Sequence, residues 1–165
     1  MKRPLRCFIS LAVVGVCVIA VGSSAAVGRS IVTRCHTAEL SGRLGFIQGA
    51  AGSRFGPLLL TNRSRHSCTL EGYIGGQLYG SAGRPLPTRI VRDQTQPVTV
   101  VKLRPGERAY ATLHWSVIRT GPLVACPRPR SLAVTPPDER TELRVSWTVG
   151  RVCRGGRIEV RPMHK

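Results

Sequence analysis

Beyond residue 36, short runs of alternating apolar and polar residues, separated by Gly, Pro, Asn and Ser, set the pattern of the chain. No stretch there keeps the i, i+3, i+4 apolar spacing of a helix, and the Pro and Gly content breaks any long one. Leu44 and Phe46 fall on one face of a first strand, with Arg43 and Gly45 on the other. A turn over 49–52 returns the chain through Phe55 to Leu60. Leu70, Gly72 and Ile74 then alternate with Glu71 and Tyr73, and Gln77, Leu78 and Tyr79 continue that run. Gly75 and Gly76 within it suggest a bulge or a close backbone approach. Pro85 and Pro87 demote the next segment to an edge strand or loop.

The strongest hairpin signal follows. Val98, Val100 and Leu103 lead into Arg104-Pro105-Gly106-Glu107, where Pro presets φ and Gly accepts φ > 0, as a type II turn needs. The return strand alternates cleanly: Ala109, Ala111, Leu113 and Trp115 inward, Tyr110, Thr112, His114 and Ser116 outward. Residues 119–130 hold three prolines and read as a loop. Leu132 and Val134 form a short strand stopped by Pro136 and Pro137. Leu143, Val145, Trp147 and Val149 form another, and Ile158 with Val160 the last. Seven or more short strands with regular turn signals predict an all-β fold, an antiparallel, immunoglobulin-like β-sandwich, with a small barrel as runner-up.

The N-terminus is different in kind. Lys2, Arg3 and Arg6 precede an uncharged run over 7–28 whose apolar heart is 8–21, and small residues end it. This is the layout of a secretory signal peptide over 1–26, cleaved after Ala26, with an uncleaved membrane anchor as the alternative. A polar lead over 27–34 precedes the domain, which spans 35–165. Cys17 and Cys35 lack the small residue that precedes a lipidated cysteine.

Four cysteines remain in the exported part: Cys35, Cys68, Cys126 and Cys153. An even count in an oxidising compartment implies disulfides, with three connectivities open. Facing residues of an antiparallel hairpin lie equidistant from its turn. Cys35 and Cys68 centre between Ala51 and Gly52, and Cys126 and Cys153 between Glu139 and Arg140. Both midpoints fall in predicted turns, which favours Cys35–Cys68 and Cys126–Cys153. No two of these cysteines have zinc-ligand spacing, so no metal and no cofactor is expected.

Charge changes the picture next. The formal net charge is +17, carried by 22 Arg against 3 Lys. Such a balance attracts polyanions, although GC-rich coding alone would also enrich Arg. An exported chain rarely meets nucleic acid, so that partner is disfavoured, and contact with a membrane is expected only through an uncleaved N-terminus. Arg157 and Arg161 alternate with Ile158 and Val160 and so point outward beside Glu159. Arg144 projects from a strand expected to neighbour theirs, and Arg151 and Arg154 lie in the connecting turn. Arg144, Arg154, Arg157 and Arg161 are therefore the candidate anion-binding residues.

Catalytic patterns are absent: no G-x-S-x-G elbow, H-E-x-x-H or P-loop occurs. The Gly-rich 72–76 stretch opens no helix and cradles no phosphate. Asn62-Arg63-Ser64 matches a glycosylation acceptor, but Asn and Ser also shape turns. Asp138, Glu139 and Glu142 read as a solvated turn. The chain is not expected to be an enzyme.

The order of features resembles a known family. Cys35, Gly49-Ala50-Ala51-Gly52, Leu58-Leu59-Leu60-Thr61-Asn62, Cys68-Thr69-Leu70-Glu71-Gly72-Tyr73, Pro105-Gly106, the Ala109 to Trp115 strand, Cys126 and Cys153 follow its pattern. It resembles an actinobacterial exported or lipoprotein-type family known only as a domain of unknown function. The resemblance covers 35–162 and supplies no catalytic residues. Ile74 stands where relatives often have Pro, and the lipidation cysteine is missing. The expectation is an exported cell-envelope protein, a non-catalytic binding module with a basic surface that meets an acidic envelope polymer or an acidic protein. The alternatives are a hydrolase built on His114 with an acid and a hydroxyl, or a structural envelope protein with no discrete ligand.

Overall fold

Two long strands form the spine of the fold. β3 (Ser53–Asn62) pairs antiparallel with β8 (Arg108–Ser116) from Ser53↔Ser116 to Thr61↔Arg108. Their inward faces are complementary in size, since Leu58 lies across from Ala111 and Leu60 from Ala109. Large residues set against small ones let the opposite layer interdigitate. All four, with Leu113 and Trp115, are buried. The computed structural model describes residues 32–165, so the signal-peptide or anchor segment lies outside the described residues.

β1 (Leu40–Leu44) and β2 (Gln48–Ala50) pair with successive halves of β3. The β2–β3 turn takes Ala51 to φ 43° and Gly52 to φ 81°. Two successive positive φ values make the tight turn that matches strand twist, as the 49–52 spacing predicts. Between Leu44↔Leu58 and Gln48↔Phe55, three residues on one strand oppose two on the other. This bulge lies beside Pro57, which has no N–H to give a ladder. It also corrects the first strand: β1 ends at Leu44, and Phe46 sits in the bulge, 81% exposed.

β11 (Arg157–Val160) pairs antiparallel with β8 and parallel with β6 (Arg89–Arg92), which closes the edge of this six-stranded sheet. The expected all-antiparallel pattern therefore has one exception. β6 is the segment after Pro85 and Pro87, and it does lie at an edge. A second sheet has the order β10 (Leu143–Ser146), β9 (Ser131–Thr135), β5 (Gly75–Tyr79), and a third pairs β4 (Cys68–Glu71) with β7 (Val100–Leu103). The single run read over 70–79 is thus two strands in different sheets, divided at Gly72, where φ is 101°. Gly75 and Gly76 pair regularly with Thr135 and Val134, and a side chain at Gly76 would crowd Leu132 and the Ala133 carbonyl. Close approach, not a bulge, explains that glycine. One core cluster joins all three sheets, with Trp115 and Trp147 packed at 4.9 Å between ring centroids.

The Pro105-Gly106 turn forms as expected, with Glu107 N–H donating to the Arg104 carbonyl at 3.0 Å and Gly106 at φ 79°. Its flanking strands nevertheless do not form a hairpin. β7 pairs with β4, while β8 pairs with β3 and β11. A type II turn splays its strands, which suits a link between sheets better than a ladder.

Both expected disulfides are present. The Cys126–Cys153 bond lies at the open end of a hairpin, as argued, but after a shift in register. β9 and β10 pair antiparallel with Ser146 facing Ser131, and beyond them Val152 N–H reaches the Pro127 carbonyl at 3.0 Å, which brings Cys153 and not Arg151 to Cys126. The Cys35–Cys68 bond does not. Arg34 bridges in parallel to Thr69, and Cys35 N–H donates to the Thr69 carbonyl at 2.9 Å. Cys35 therefore reaches Cys68 by running beside β4, not by facing it across the end of a hairpin.

Candidate anion-binding surface

At the Cys126–Cys153 end, loop 117–130 and segment 147–156 are stitched together. Val152 N–H donates to the Pro127 carbonyl at 3.0 Å, Gly155 N–H to that of Ala125 at 2.8 Å and Trp147 N–H to that of Arg130 at 2.9 Å. After the cysteine the chain turns through Arg154, Gly155 and Gly156 at φ 54°, 73° and 77°. Gly156 has no alternative, because a side chain there would overlap the Pro87 backbone. The turn leaves Arg154 exposed and starts β11 with Arg157 half-buried.

Arg154 and Arg157 line a pocket of about 200 Å³ with His114, Ser53, Ser116, Ile118 and Glu159. Glu159 is held from both sides. One carboxylate oxygen accepts Arg157 Nε and Nη2 at 3.1 and 2.8 Å, and the other pairs with His114 Nδ1 at 3.1 Å. The His114 hydrogen bond, then that of Arg157, lowers the Glu159 pKa below its ordinary range. Arg161 lines the adjoining cleft of about 420 Å³ and pairs with Asp93 at 3.0 Å. Hydrogen bonds from the Thr95 side chain and backbone, and then Arg161, lower the Asp93 pKa to about 2.

A model of a domain of unknown function, DUF4232, matches residues 35–164. The chain belongs to the DUF4232 family. No curated protein and no solved structure matches it. The expected membership of a family of unknown function is met over nearly the predicted span.

Of the four arginines singled out by sequence, this DUF4232 domain brings Arg154, Arg157 and Arg161 to one sheet face. Arg144 does not join them, because β10 belongs to a different sheet from β11. Alternation along a strand gives the face of a side chain but not the sheet its strand joins. Arg144 lies over the Tyr79 ring at 3.9 Å and donates to Ser131 Oγ at 3.3 Å.

Arg119, Arg128 and Arg130, in the proline-rich loop, are not among the four arginines that strand alternation and the connecting turn single out. A signal was available. No acid lies between Glu107 and Asp138 or between Glu142 and Glu159. The predicted Cys126–Cys153 bond joins those two acid-free segments. Arg119, Arg128, Arg130, Arg151 and Arg154 form no ion pair among the described residues.

Of the acid and hydroxyl that the hydrolase alternative needs beside His114, Glu159 supplies the acid. Ser116 lines the same pocket, but its Oγ accepts Ile118 N–H at 3.2 Å and contacts the Gly52 carbonyl at 3.4 Å, with no hydrogen bond to His114. At the opposite end Glu139 corrects the solvated-turn reading. Its side chain is 9% exposed and accepts Thr37 N–H and Oγ1, each at 3.0 Å. No group of three or more His, Cys, Asp or Glu residues able to hold a metal occurs among the described residues, and no described helix is long and apolar enough to cross a membrane.

Proposed function

We propose that this DUF4232 domain is a non-catalytic binding module of the cell envelope that holds polyanions at its Cys126–Cys153 end. The observation that carries this reading is the convergence of two acid-free, arginine-bearing segments around one disulfide. Cations free of internal carboxylates keep their field for a ligand, and guanidinium groups suit phosphate and carboxylate geometry. Export accords with two disulfides and with the basic, then apolar, N-terminal sequence. We read the three sheets as an immunoglobulin-like sandwich, with the six-stranded sheet as one layer and the two smaller sheets as the other. The shared core supports that reading.

The partner is an acidic envelope polymer or an acidic protein. Binding of the protein to polyphosphate, followed by fluorescence anisotropy across a salt series, tests the reading. Affinity should fall steeply with salt, and by about tenfold or more in Arg128→Glu with Arg154→Glu. Binding that ignores salt, or is unchanged by both reversals, contradicts it. The hydrolase reading draws on the His114–Glu159 pair. Its test is ester hydrolysis lost in His114→Ala, and the absence of a hydroxyl on the His114 ring argues against it.

A further inference from the structure

We infer that the Cys126–Cys153 end docks on an anionic bilayer, with Leu123, Val124 and Ile118 entering the interface while Arg119, Arg128 and Arg154 meet its anionic headgroups. The inference rests on the anion-binding reading above and names the source of the anion. Leu123 is 97% exposed, and Ile118 and Val124 on the same loop are 56% and 38% exposed. A single exposed leucine is ordinary, so its setting must carry the weight.

That setting is built, not loose. The 121–124 turn is closed by Val124 N–H on the Gly121 carbonyl at 3.4 Å. Its base is fixed by Gly155 N–H on Ala125 and by the disulfide one residue further on. Ile118 lines a pocket with Arg154, Arg157, His114 and Glu159, whose carboxylate already engages Arg157 and His114, so the free cation there, among the described residues, is Arg154. Arg119, Arg128 and Arg154 are exposed on the same two segments.

Apolar side chains gain from leaving water at an interface, and cations beside them gain from anionic headgroups. A soluble acidic polymer would use the arginines and leave Leu123 with nothing to bury against. Charge and apolarity together therefore favour a lipid surface. This adds a membrane contact to the one expected from the N-terminal segment.

The test places a reporter on the tip, so that membrane contact by the N-terminal segment does not interfere. Leu123→Trp in the full chain adds an exposed indole to Trp115 and Trp147, which are buried and give a constant background. On phosphatidylglycerol vesicles its emission should shift blue and be quenched by brominated acyl chains, with neither effect on phosphatidylcholine alone. Adding Arg154→Glu should raise the lipid concentration at half-shift about tenfold or more. An indole that stays in water while polyphosphate binding remains salt-sensitive overturns the lipid proposal and leaves a wall polymer or acidic protein as the occupant. Equal shifts on both lipids overturn the part given to the arginines, because only phosphatidylglycerol carries net negative charge. Loss of both vesicle and polyphosphate responses removes the anion-binding reading as well.

Discussion

The two disulfide-bonded ends of the domain treat charge in opposite ways. Around Cys35–Cys68 three carboxylates are engaged internally. Glu139 takes Arg34 at 3.2 Å and His36 at 3.1 Å, Glu39 takes His66 at 3.0 Å, and Glu107 takes Lys165 at 2.7 Å. Asn62 is fully buried there, donating to the carbonyls of His66 and Leu103 and accepting Ser64 N–H and Oγ. Around Cys126–Cys153 the segments carry arginines and no carboxylate of their own before Glu159. One end spends its polar groups on fixing the chain. At the other, Arg119, Arg128, Arg130, Arg151 and Arg154 form no ion pair among the described residues, while Arg157 is held by Glu159.

Removing either disulfide gives the largest effect and separates the two roles. The bonds span 33 and 27 residues, so replacing either cysteine pair with Ala should cost about 3–4 kcal/mol in chemical denaturation. Only loss of Cys126–Cys153 should also weaken polyanion binding under conditions where the variant remains folded. Asn62→Ala comes next. It strands the buried carbonyls and N–H that the amide serves and should cost about 2–3 kcal/mol, with binding unchanged. The buried amide also identifies the Asn-Arg-Ser motif as a turn device.

Glu139→Gln should be milder, about 1 kcal/mol, because one carbonyl oxygen still accepts from Thr37 while the charge facing Arg34 and His36 is lost. The smallest effect is a pH dependence. Asp93 has a folded pKa of about 2 against an ordinary 3.8, so the folded state binds fewer protons in that window. Its contribution is present in full above the unfolded pKa and is lost as pH falls through the folded one. Glu107, held down first by the Arg104 N–H and then by Lys165, and Glu139, held down first by the Thr37 N–H, act in the same direction. Asp93→Asn should flatten the stability curve between about pH 4 and pH 2 in acid titration followed by circular dichroism.

Much of the strand layout was legible because alternation is local. Ala109, Ala111, Leu113 and Trp115 face inward as read, and so do Ile158 and Val160. Sheet membership was not legible, because it depends on distant partners. The Pro105-Gly106 turn was found, yet it joins two sheets. Arg144 was given the right face and the wrong neighbours. The cysteine pairs were correct for two reasons of unequal worth: Cys126 and Cys153 do extend a hairpin, while Cys35 meets Cys68 along a parallel edge. At the candidate site, Arg157 was legible from strand alternation and Arg154 from its place in the turn before that strand. Arg119, Arg128 and Arg130 were missed because nothing local marks a loop arginine as part of a cluster.

The most direct measurement compares equal charge reversals at the two ends. Arg128→Glu with Arg154→Glu changes the Cys126–Cys153 end, and Arg63→Glu with Arg104→Glu changes the other by the same amount. Polyphosphate affinity at low and high salt should fall at least about tenfold for the first pair, with a shallower salt dependence, and by less than about twofold for the second. Equal losses from both pairs would mean that net charge alone attracts the polymer, and would contradict a binding surface at one end.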